Sequence, residues 1–543
     1  MKKYFVLIIF LFLNLSSQVV YLHPSHQVYD FLKRMESMQI ISGFRDAVRP
    51  ISRKEIAKYI IDANKKNDLL TQVDKENIKF YLEEFYDELS IEAKNDSTLI
   101  ERWHVVNYRS LDANVKVNFV GGYSVRKWGD EKVTRTRLNG LTTYGYLGNF
   151  VGAQLYFRDH QEGGSWLDAK KDLQNSQGQI QIRSTSQNIE YDFADAQLNF
   201  DFKNFVLSIA KMNNVWGAGE NGNIILSTRA PSYPQIKLKI DLGDKATFTY
   251  VHAFLNSQLV DSVNSYITPY GNNSSIYRPV LRNKYLATHI LEFTPINGID
   301  IGLGESNVYG NRNPEILFLI PVMFFKAAEH YTVDLDNNQL FGTIDVNYFK
   351  NYNFYGTLFI DDFSVEDFMR DDRNINYIGY TFGTRFYDIG FKNTKLLFEY
   401  SKVNPWVYNH KYPDATYQSH NYDLGHWMGQ NAKNILMKYS IEPKRNIRVS
   451  IIYEELTKGG KLPKDLQYGA PIKDGLYGPI IYKKNFGVEW NYEVFRDISL
   501  KGHLKLDTYK QDENIDGIFQ YPRKSLNYKN KPDILFGFFY NIQ

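Results

Sequence analysis

The run Val215-Trp-Gly-Ala-Gly-Glu-Asn-Gly-Asn-Ile-Ile-Leu-Ser-Thr-Arg-Ala-Pro-Ser-Tyr-Pro234 admits two incompatible readings, and the choice between them decides the fold. Gly217, Gly219 and Gly222 spell G-x-G-x-x-G, with Asp241 about twenty residues beyond. That spacing binds a dinucleotide only where a helix opens at the last glycine, because the helix N-terminus is what holds the pyrophosphate. Here Ile224, Ile225 and Leu226 run straight into Pro231 and Pro234, and two prolines so close bar a helix of useful length. The glycines are therefore expected in a tight irregular loop between two strands.

The sequence on either side supports strands. After Leu111 the apolar period becomes two: Val115, Val117 and Phe119 alternate with Lys116 and Asn118. Similar runs recur to the C-terminus, where Ile534, Phe536, Phe538, Tyr540 and Ile542 share one face. One set of joints between the runs is tight: Gly148-Asn149, Lys203-Asn204, Gly243-Asp244, Asn297-Gly298, Lys350-Asn351, Pro443 to Asn446, and Arg496-Asp497. The other set is long and polar: Arg158 to Asn188, Asn256 to Asn283, Tyr309 to Asn338, Lys402 to Asn431, Leu456 to Lys483, and Lys510 to Lys531. Strict alternation of the two sets has no purpose in a soluble sandwich. It is natural for a membrane barrel, whose periplasmic turns are short and whose extracellular loops are free to grow. The expected fold is all-β, a transmembrane antiparallel barrel of about eighteen strands filling residues 103–543. An even count leaves both ends of the sheet on the periplasmic side.

The totals agree. Among 543 residues, 64 basic against 61 acidic leave a net charge of +3, so nothing calls for a nucleic-acid partner. The absence of cysteine excludes disulfide frameworks and Cys-ligated zinc. Aromatic residues reach 15%, a load that suits the interfacial girdles of a barrel. Lys2 and Lys3 precede an apolar run from Tyr4 to Leu15 that is too short to span a bilayer, so residues 1–17 read as a cleavable signal peptide. Export to the outer membrane of a Gram-negative-type bacterium follows, with outer-membrane lipid as the solvent of the barrel.

Between the signal and the barrel, residues 24–92 have helical periodicity. Val28, Phe31, Leu32, Met35 and Met38 form one stripe, ended by Gly43. Ser52-Arg-Lys-Glu55 is a capping-box sequence that opens a second helix, and a third runs from about Val73 to Leu89. Three short amphipathic helices make a small N-terminal periplasmic bundle, expected as a cap on the barrel and as a possible platform for a periplasmic partner.

The phrase 215–234 resembles the signature of the Wzi family of capsule-assembly outer-membrane proteins, in which a Trp-Gly-x-Gly turn leads into an Ile-Leu-Ser run, an Arg and spaced prolines. Trp216, Gly217, Gly219, Ile225, Leu226, Ser227, Arg229, Pro231 and Pro234 stand where that pattern asks. Tyr355-Gly-Thr-Leu-Phe-Ile-Asp-Asp-Phe363, Phe398-Glu-Tyr400 and Leu424-Gly-His-Trp-Met-Gly-Gln430 resemble later segments of the family in the same order. The resemblance implies a helical bundle beneath the barrel, loops that plug its mouth, and a non-enzymatic surface lectin that anchors or organises capsular or exopolysaccharide.

Catalytic readings find little. No HExxH, G-x-S-x-G or P-loop is present, and His420 and His426 are not at a usual metal spacing. Asp361-Asp362 and Asp371-Asp372 offer carboxylates, but neighbours on a strand face opposite ways, whereas a glycosidase needs two acids facing one bond. Neither cofactor nor metal is expected. Binding remains, since sugars are held by aromatic faces and planar hydrogen-bonding groups. The candidate polysaccharide-binding residues are Trp216, Arg229, Tyr233, Tyr309, Arg312, Trp406, Tyr408 and Trp427, with Trp166, Tyr412 and Tyr477 in the same loops. The rival reading is an outer-membrane porin or glycan-export channel, which requires an open lumen.

Overall fold

The computed structural model describes residues 19–89, 94, 99–130, 132–168, 170–270, 274–332, 335–362, 377–460, 475–512 and 527–542. The expected signal peptide and the Asp371-Asp372 pair lie outside the described residues. Eighteen antiparallel strands close into a barrel, each paired with its sequence neighbours and the last with the first. They are β1 (Ala113–Trp128), β2 (Lys132–Leu147), β3 (Val151–Gly164), β4 (Asn188–Asp201), β5 (Phe205–Met212), β6 (Tyr233–Asp241), β7 (Ala246–Tyr270), β8 (Ser274–Ile296) and β9 (Ile299–Gly310). The second half comprises β10 (Asn337–Val346), β11 (Tyr352–Asp362), β12 (Tyr377–Tyr387), β13 (Thr394–Val403), β14 (Ala432–Lys444), β15 (Ile447–Gly459), β16 (Ile480–Phe495), β17 (Ile498–Gln511) and β18 (Tyr528–Tyr540).

Strand alternation places opposite chemistry on the two faces. On β18, Ile534, Phe536 and Phe538 point outward and are 40–54% exposed, while Asp533 points inward to ion-pair with Arg126 of β1. Leu504, Leu506, Phe486, Val488, Leu303 and Leu340 extend the exposed apolar surface around the wall. In water such a surface would drive aggregation; in a bilayer it is the lipid-facing belt. Tyr348, Phe349, Tyr352, Phe391 and Phe495 stand exposed at the periplasmic end, where an aromatic girdle belongs.

The periplasmic turns fall where the sequence puts them. Gly148, Lys203, Gly243, Gly298, Asn351 and Asp497 all take positive φ there, as tight hairpin turns demand. The outer side departs from strict alternation. β1 and β2 are joined by a short turn between Trp128 and Lys132. The supposed loop Asn256 to Asn283 is a hairpin, because β7 and β8 run to 25 and 23 residues and keep pairing out to Tyr270 and Ser274. Their flanking partners stop at Ala253 and Lys284, so this hairpin projects beyond the rim. Its sequence reads as loop because both faces are solvated and no apolar alternation survives.

Three helices pack at the periplasmic mouth: α1 (Val28–Ser37), α2 (Arg53–Asn64) and α3 (Gln72–Glu84). The Ser52 side chain caps α2 by accepting from Glu55 N, but the Glu55 carboxylate reaches across to Lys239 of β6 instead of returning. The reciprocal box forms at Thr71 and Asp74, opening α3. Ion pairs fix the bundle to the barrel: Asp30 to Lys395 and Arg448, Arg34 to Asp388, and Glu84 through Arg102 to Asp497. Burial, the largest influence on Asp30, raises its pKa, yet Lys395 and then Arg448 outweigh it and hold the carboxyl well below its usual range.

Candidate functional site: a plug inside the barrel

Between β5 and β6 the chain does not leave the barrel. Residues 213–232 turn back into the lumen, where Val215–Trp216 pairs with Val48–Arg49 from the bundle. Ala218 N donates to Thr357 Oγ1 on the inner wall at 3.2 Å, and Arg385 donates to Ala218 O at 3.1 Å. The glycine turn then closes on Glu399, an inward carboxylate of β13. Glu220 N and Asn221 N donate to its two oxygens at 2.6 and 2.9 Å, and Tyr355 Oη donates at 2.6 Å. The G-x-G-x-x-G loop thus offers its amides to an anion, and that anion belongs to the protein itself. Gly222 has φ +126, and a Cβ there would sit 2.8 Å from Trp427 Cδ1, so the turn requires glycine at this point.

Beyond the turn, Ile224, Ile225 and Leu226 are fully buried. Leu226 pairs back with Trp216, and the carbonyls of Ile224 and Ile225 are satisfied by a second lumenal segment, residues 404–431. Tyr408 Oη donates to Ile224 O at 2.6 Å and Tyr417 Oη to Ile225 O at 3.0 Å. Burial pushes both phenols far above their ordinary range, so each remains a protonated donor. Ser227 N donates to Leu424 O, and the Arg229 guanidinium donates to the carbonyls of Lys170, Lys171 and Ser176, tying down a third segment, 165–187. Burial also lowers His426 to about 3, which keeps that ring neutral within the plug.

The outcome is one apolar core inside the barrel. It combines Val48 of the bundle, Trp216 and Ile224 to Leu226, Trp406, Tyr408, Tyr417 and Trp427, and the inward wall residues Val251, Leu286, Ile290, Phe341, Phe359 and Leu456. The structure brings together six of the eight candidate sugar-binding residues here: Trp216, Arg229, Tyr233, Trp406, Tyr408 and Trp427. Each is 7% exposed or less, so none presents a face on which a sugar could stack. What the structure shows of them is that they hold the plug. Tyr309 and Arg312 go elsewhere, to the outside of the wall, where Arg312 ion-pairs with Asp336 and Tyr309 is fully covered. Asp361, a candidate acid, accepts from Gln339 and from Tyr408 N at 2.6 Å and is likewise part of the scaffold.

The sequence reading missed Arg385 and Lys395, and quoted Thr357 and Glu399 only within motifs. The available signal was parity: these are polar residues at inward positions of β11, β12 and β13, where a water-filled lumen or a plug must supply partners. Glu220, which Lys395 and Arg385 both reach, feels burial first, which raises its pKa; the Lys395 charge reverses that and keeps it ionised.

A lipid-facing belt, a periplasmic aromatic girdle and an internally plugged lumen define an outer-membrane β-barrel that is closed by its own chain. A model of the family described as capsule assembly protein Wzi matches residues 140–520. The chain belongs to the Wzi family of capsule assembly proteins. Among solved structures it is similar to Wzi of Escherichia coli, described as an outer-membrane protein involved in group 1 capsule assembly and a carbohydrate-binding β-barrel. That match has 12% identity, covers 97% of this chain and 100% of that one, and has a TM-score of 0.58. OccK7 (OpdD) of Pseudomonas aeruginosa matches at 8% identity over 79% of this chain and 99% of its own, TM-score 0.41. OccAB4 of Acinetobacter baumannii matches at 10% identity over 80% and 98%, TM-score 0.41. No curated protein sequence matches the chain.

Proposed function

We propose that this protein binds capsular or exopolysaccharide on the outer face of the outer membrane and anchors or organises it there without chemical turnover. The observation that carries the reading is the apolar core across the lumen, joined to the bundle below and to the 165–187 and 404–431 segments above. A porin or glycan-export channel keeps a polar, water-filled lumen. This one is filled with Trp, Tyr, Ile and Leu, so a polysaccharide meets the protein at its outer end.

The binding surface is assigned to what that end exposes. On the projecting β7–β8 hairpin, Tyr266 pairs across from Arg278, with Tyr270 on the same face. Tyr266 and Tyr270 are 59% and 63% exposed, which gives aromatic faces for sugar rings beside a guanidinium for acidic groups. Residues 1–17 are proposed as the cleavable export signal. The bundle face carrying the exposed lysines Lys54, Lys58, Lys65 and Lys66 is proposed as the place where a periplasmic partner would dock.

The test is surface retention of polysaccharide in a deletion strain complemented with the wild type or with a Tyr266→Ala, Tyr270→Ala, Arg278→Ala variant. Retention is expected to fall on deletion, return with the wild type and return only in part with the variant. Unchanged retention on deletion defeats the binding function; full rescue by the variant defeats the assigned surface alone. Large steady conductance of the wild type in planar bilayers would favour the channel.

A further inference from the structure

The joint between β9 and β10 has its residues 313–332 against the outer wall and not in the lumen. Parity places it outside: Leu286, Ile290 and Val308 point into the lumenal core, so Tyr285, His289, Glu305, Asn307 and Tyr309, their alternates on β8 and β9, point outward. Outward residues of a barrel at mid-strand are normally exposed to lipid, as Leu303 is at 57%. Yet Glu305 is 4% exposed and Asn307 and Tyr309 are fully buried.

The cover is the segment 313–332. Phe318, Phe325 and Ala328 pack with Tyr250, Tyr285, Ala287 and Tyr309 in a separate apolar cluster on the outer wall. Polar contacts fix it there. Tyr250 Oη donates to Phe318 O at 2.7 Å, Phe325 N to Glu305 Oε1 at 2.8 Å, and Glu315 N to Tyr309 Oη at 3.2 Å. His289 Nε2 lies 3.2 Å from Glu305 Oε1, with the Phe325 ring against the imidazole. The 12 residues of β9 span about 30 Å of height at the tilt of a membrane barrel. Glu305 lies five residues below its outer end, so the segment descends roughly 12 Å down the outside wall.

Its free face matches that location. Residues 316–325 read Ile-Leu-Phe-Leu-Ile-Pro-Val-Met-Phe-Phe, with no charge and no hydrogen-bonding side chain. Ile316, Val322 and Phe324 are 73%, 76% and 55% exposed, and Leu319 and Ile320 about 40% each. Leu340 of the exposed belt is paired across from Glu305, to which Phe325 is bonded, and Leu303 lies on the same face two residues along β9. An uncharged apolar decapeptide displayed to water would be a liability, whereas displayed to acyl chains it completes the belt.

We propose that residues 313–332 form a flap embedded in the outer leaflet, docked by Phe318, Phe325 and Ala328 over a polar stripe of the outer wall and presenting Ile316, Leu319, Val322 and Phe324 to lipid acyl chains. The flap does two things. It shields His289, Glu305 and Asn307 from hydrocarbon, and it widens the apolar contact of this side of the barrel with the membrane.

The chain contains no cysteine, so single cysteines can be labelled uniquely in the full protein. A nitroxide at Val322→Cys, and separately at Phe324→Cys, is read in liposomes by collision with oxygen and with a water-soluble nickel chelate. Leu340→Cys serves as the lipid-belt reference and Val263→Cys, 89% exposed on the projecting hairpin, as the aqueous one. The expected result is that both flap labels behave like Leu340, with oxygen collision exceeding nickel collision several-fold. Flap labels that behave like Val263 would place the segment in water and overturn the proposal. Labels shielded from both reagents, with dipolar broadening between barrels, would overturn it in favour of contact with a second copy of the chain.

Discussion

Glu399 is the point at which the plug can be tested most sharply. Its carboxylate accepts two backbone amides of the glycine turn and the Tyr355 hydroxyl, all between 2.6 and 2.9 Å. Hydrogen bonds to a charged acceptor contribute about 1.5–3 kcal/mol each. Only the two amide bonds join the turn to the wall, because Tyr355 belongs to β11; at the lower figure for each, Glu399→Ala should weaken the docking of the turn by about 3 kcal/mol, or roughly a hundredfold in the ratio of seated to unseated plug. Glu399→Gln keeps the shape and one acceptor oxygen and should cost about half as much. The strands do not depend on this contact, so the barrel should assemble normally. Two readouts follow: discrete openings in planar bilayers, and faster trypsin cleavage at Arg229, which the seated plug buries. The ordering expected is alanine variant above glutamine variant above wild type. Conductance and cleavage of Glu399→Ala within twofold of the wild type would refute the claim that the glycine turn is seated by this carboxylate.

Other residues give independent checks. Trp216→Ala empties a fully buried site between the bundle strand, the plug and Phe341; a loss of about 3–5 kcal/mol is expected in urea titrations of the reconstituted protein, and less than 1 kcal/mol would show that the ring is not a packed anchor. Gly222→Ala combines positive φ with a collision against Trp427 and should cost about 2–3 kcal/mol. Gly243→Ala, also at positive φ but with nothing within 4 Å, should cost only about 1 kcal/mol, and equal losses would remove the collision from the explanation. Burial raises the Glu84 carboxyl, but Arg102 and then Arg53 outweigh it and bring its pKa down from 4.5 to about 2. A depressed folded pKa stabilises above the unfolded value and is lost as pH falls through the folded one. Protection of α3 from amide exchange should therefore hold at pH 6 and decline between about pH 4.5 and 2, a loss of about 3 kcal/mol; protection that rises on acidification would reverse the sign of the argument.

The parts of the fold that the sequence discloses are those whose chemistry is local. Tight periplasmic turns need positive φ, and Gly148, Gly243, Gly298 and Asn351 announce it within two residues. Strands with one face in lipid alternate, as Ile534 to Phe538 do. The outer end obeys no such rule. The β7–β8 hairpin is wet on both faces and loses its period. The flap's apolar run, Ile316 to Phe325, sits inside a joint that reads as a polar loop, because sequence does not say on which side of the wall a loop falls. The aromatics are ambiguous in sequence for a related reason. Trp406 or Tyr408 on a loop suits a sugar platform and a buried plug equally well, and only the lumen that closes round them decides.

The glycine turn carries the same lesson a step further, since its amides do bind an anion and only the partner is unforeseeable, 179 residues away at Glu399. That distance also explains why the turn must be so constrained. Trp216 pairs with the bundle strand, Glu220 is held by Lys395, which also holds Asp30 of α1, and Arg229 fastens the outer 165–187 segment. One short stretch therefore touches the periplasmic cap, the inner wall and an outer segment. A plug made of separate loops could loosen at one end without effect at the other. In this arrangement, loss of the Asp30 pairs, 2.7 and 3.2 Å long, should free Lys395 and loosen the Glu220 end of the turn as well as the bundle. Asp30→Asn should then raise trypsin cleavage at Arg229 on the far side of the barrel, and an effect confined to the bundle would mean that cap and plug are fastened independently.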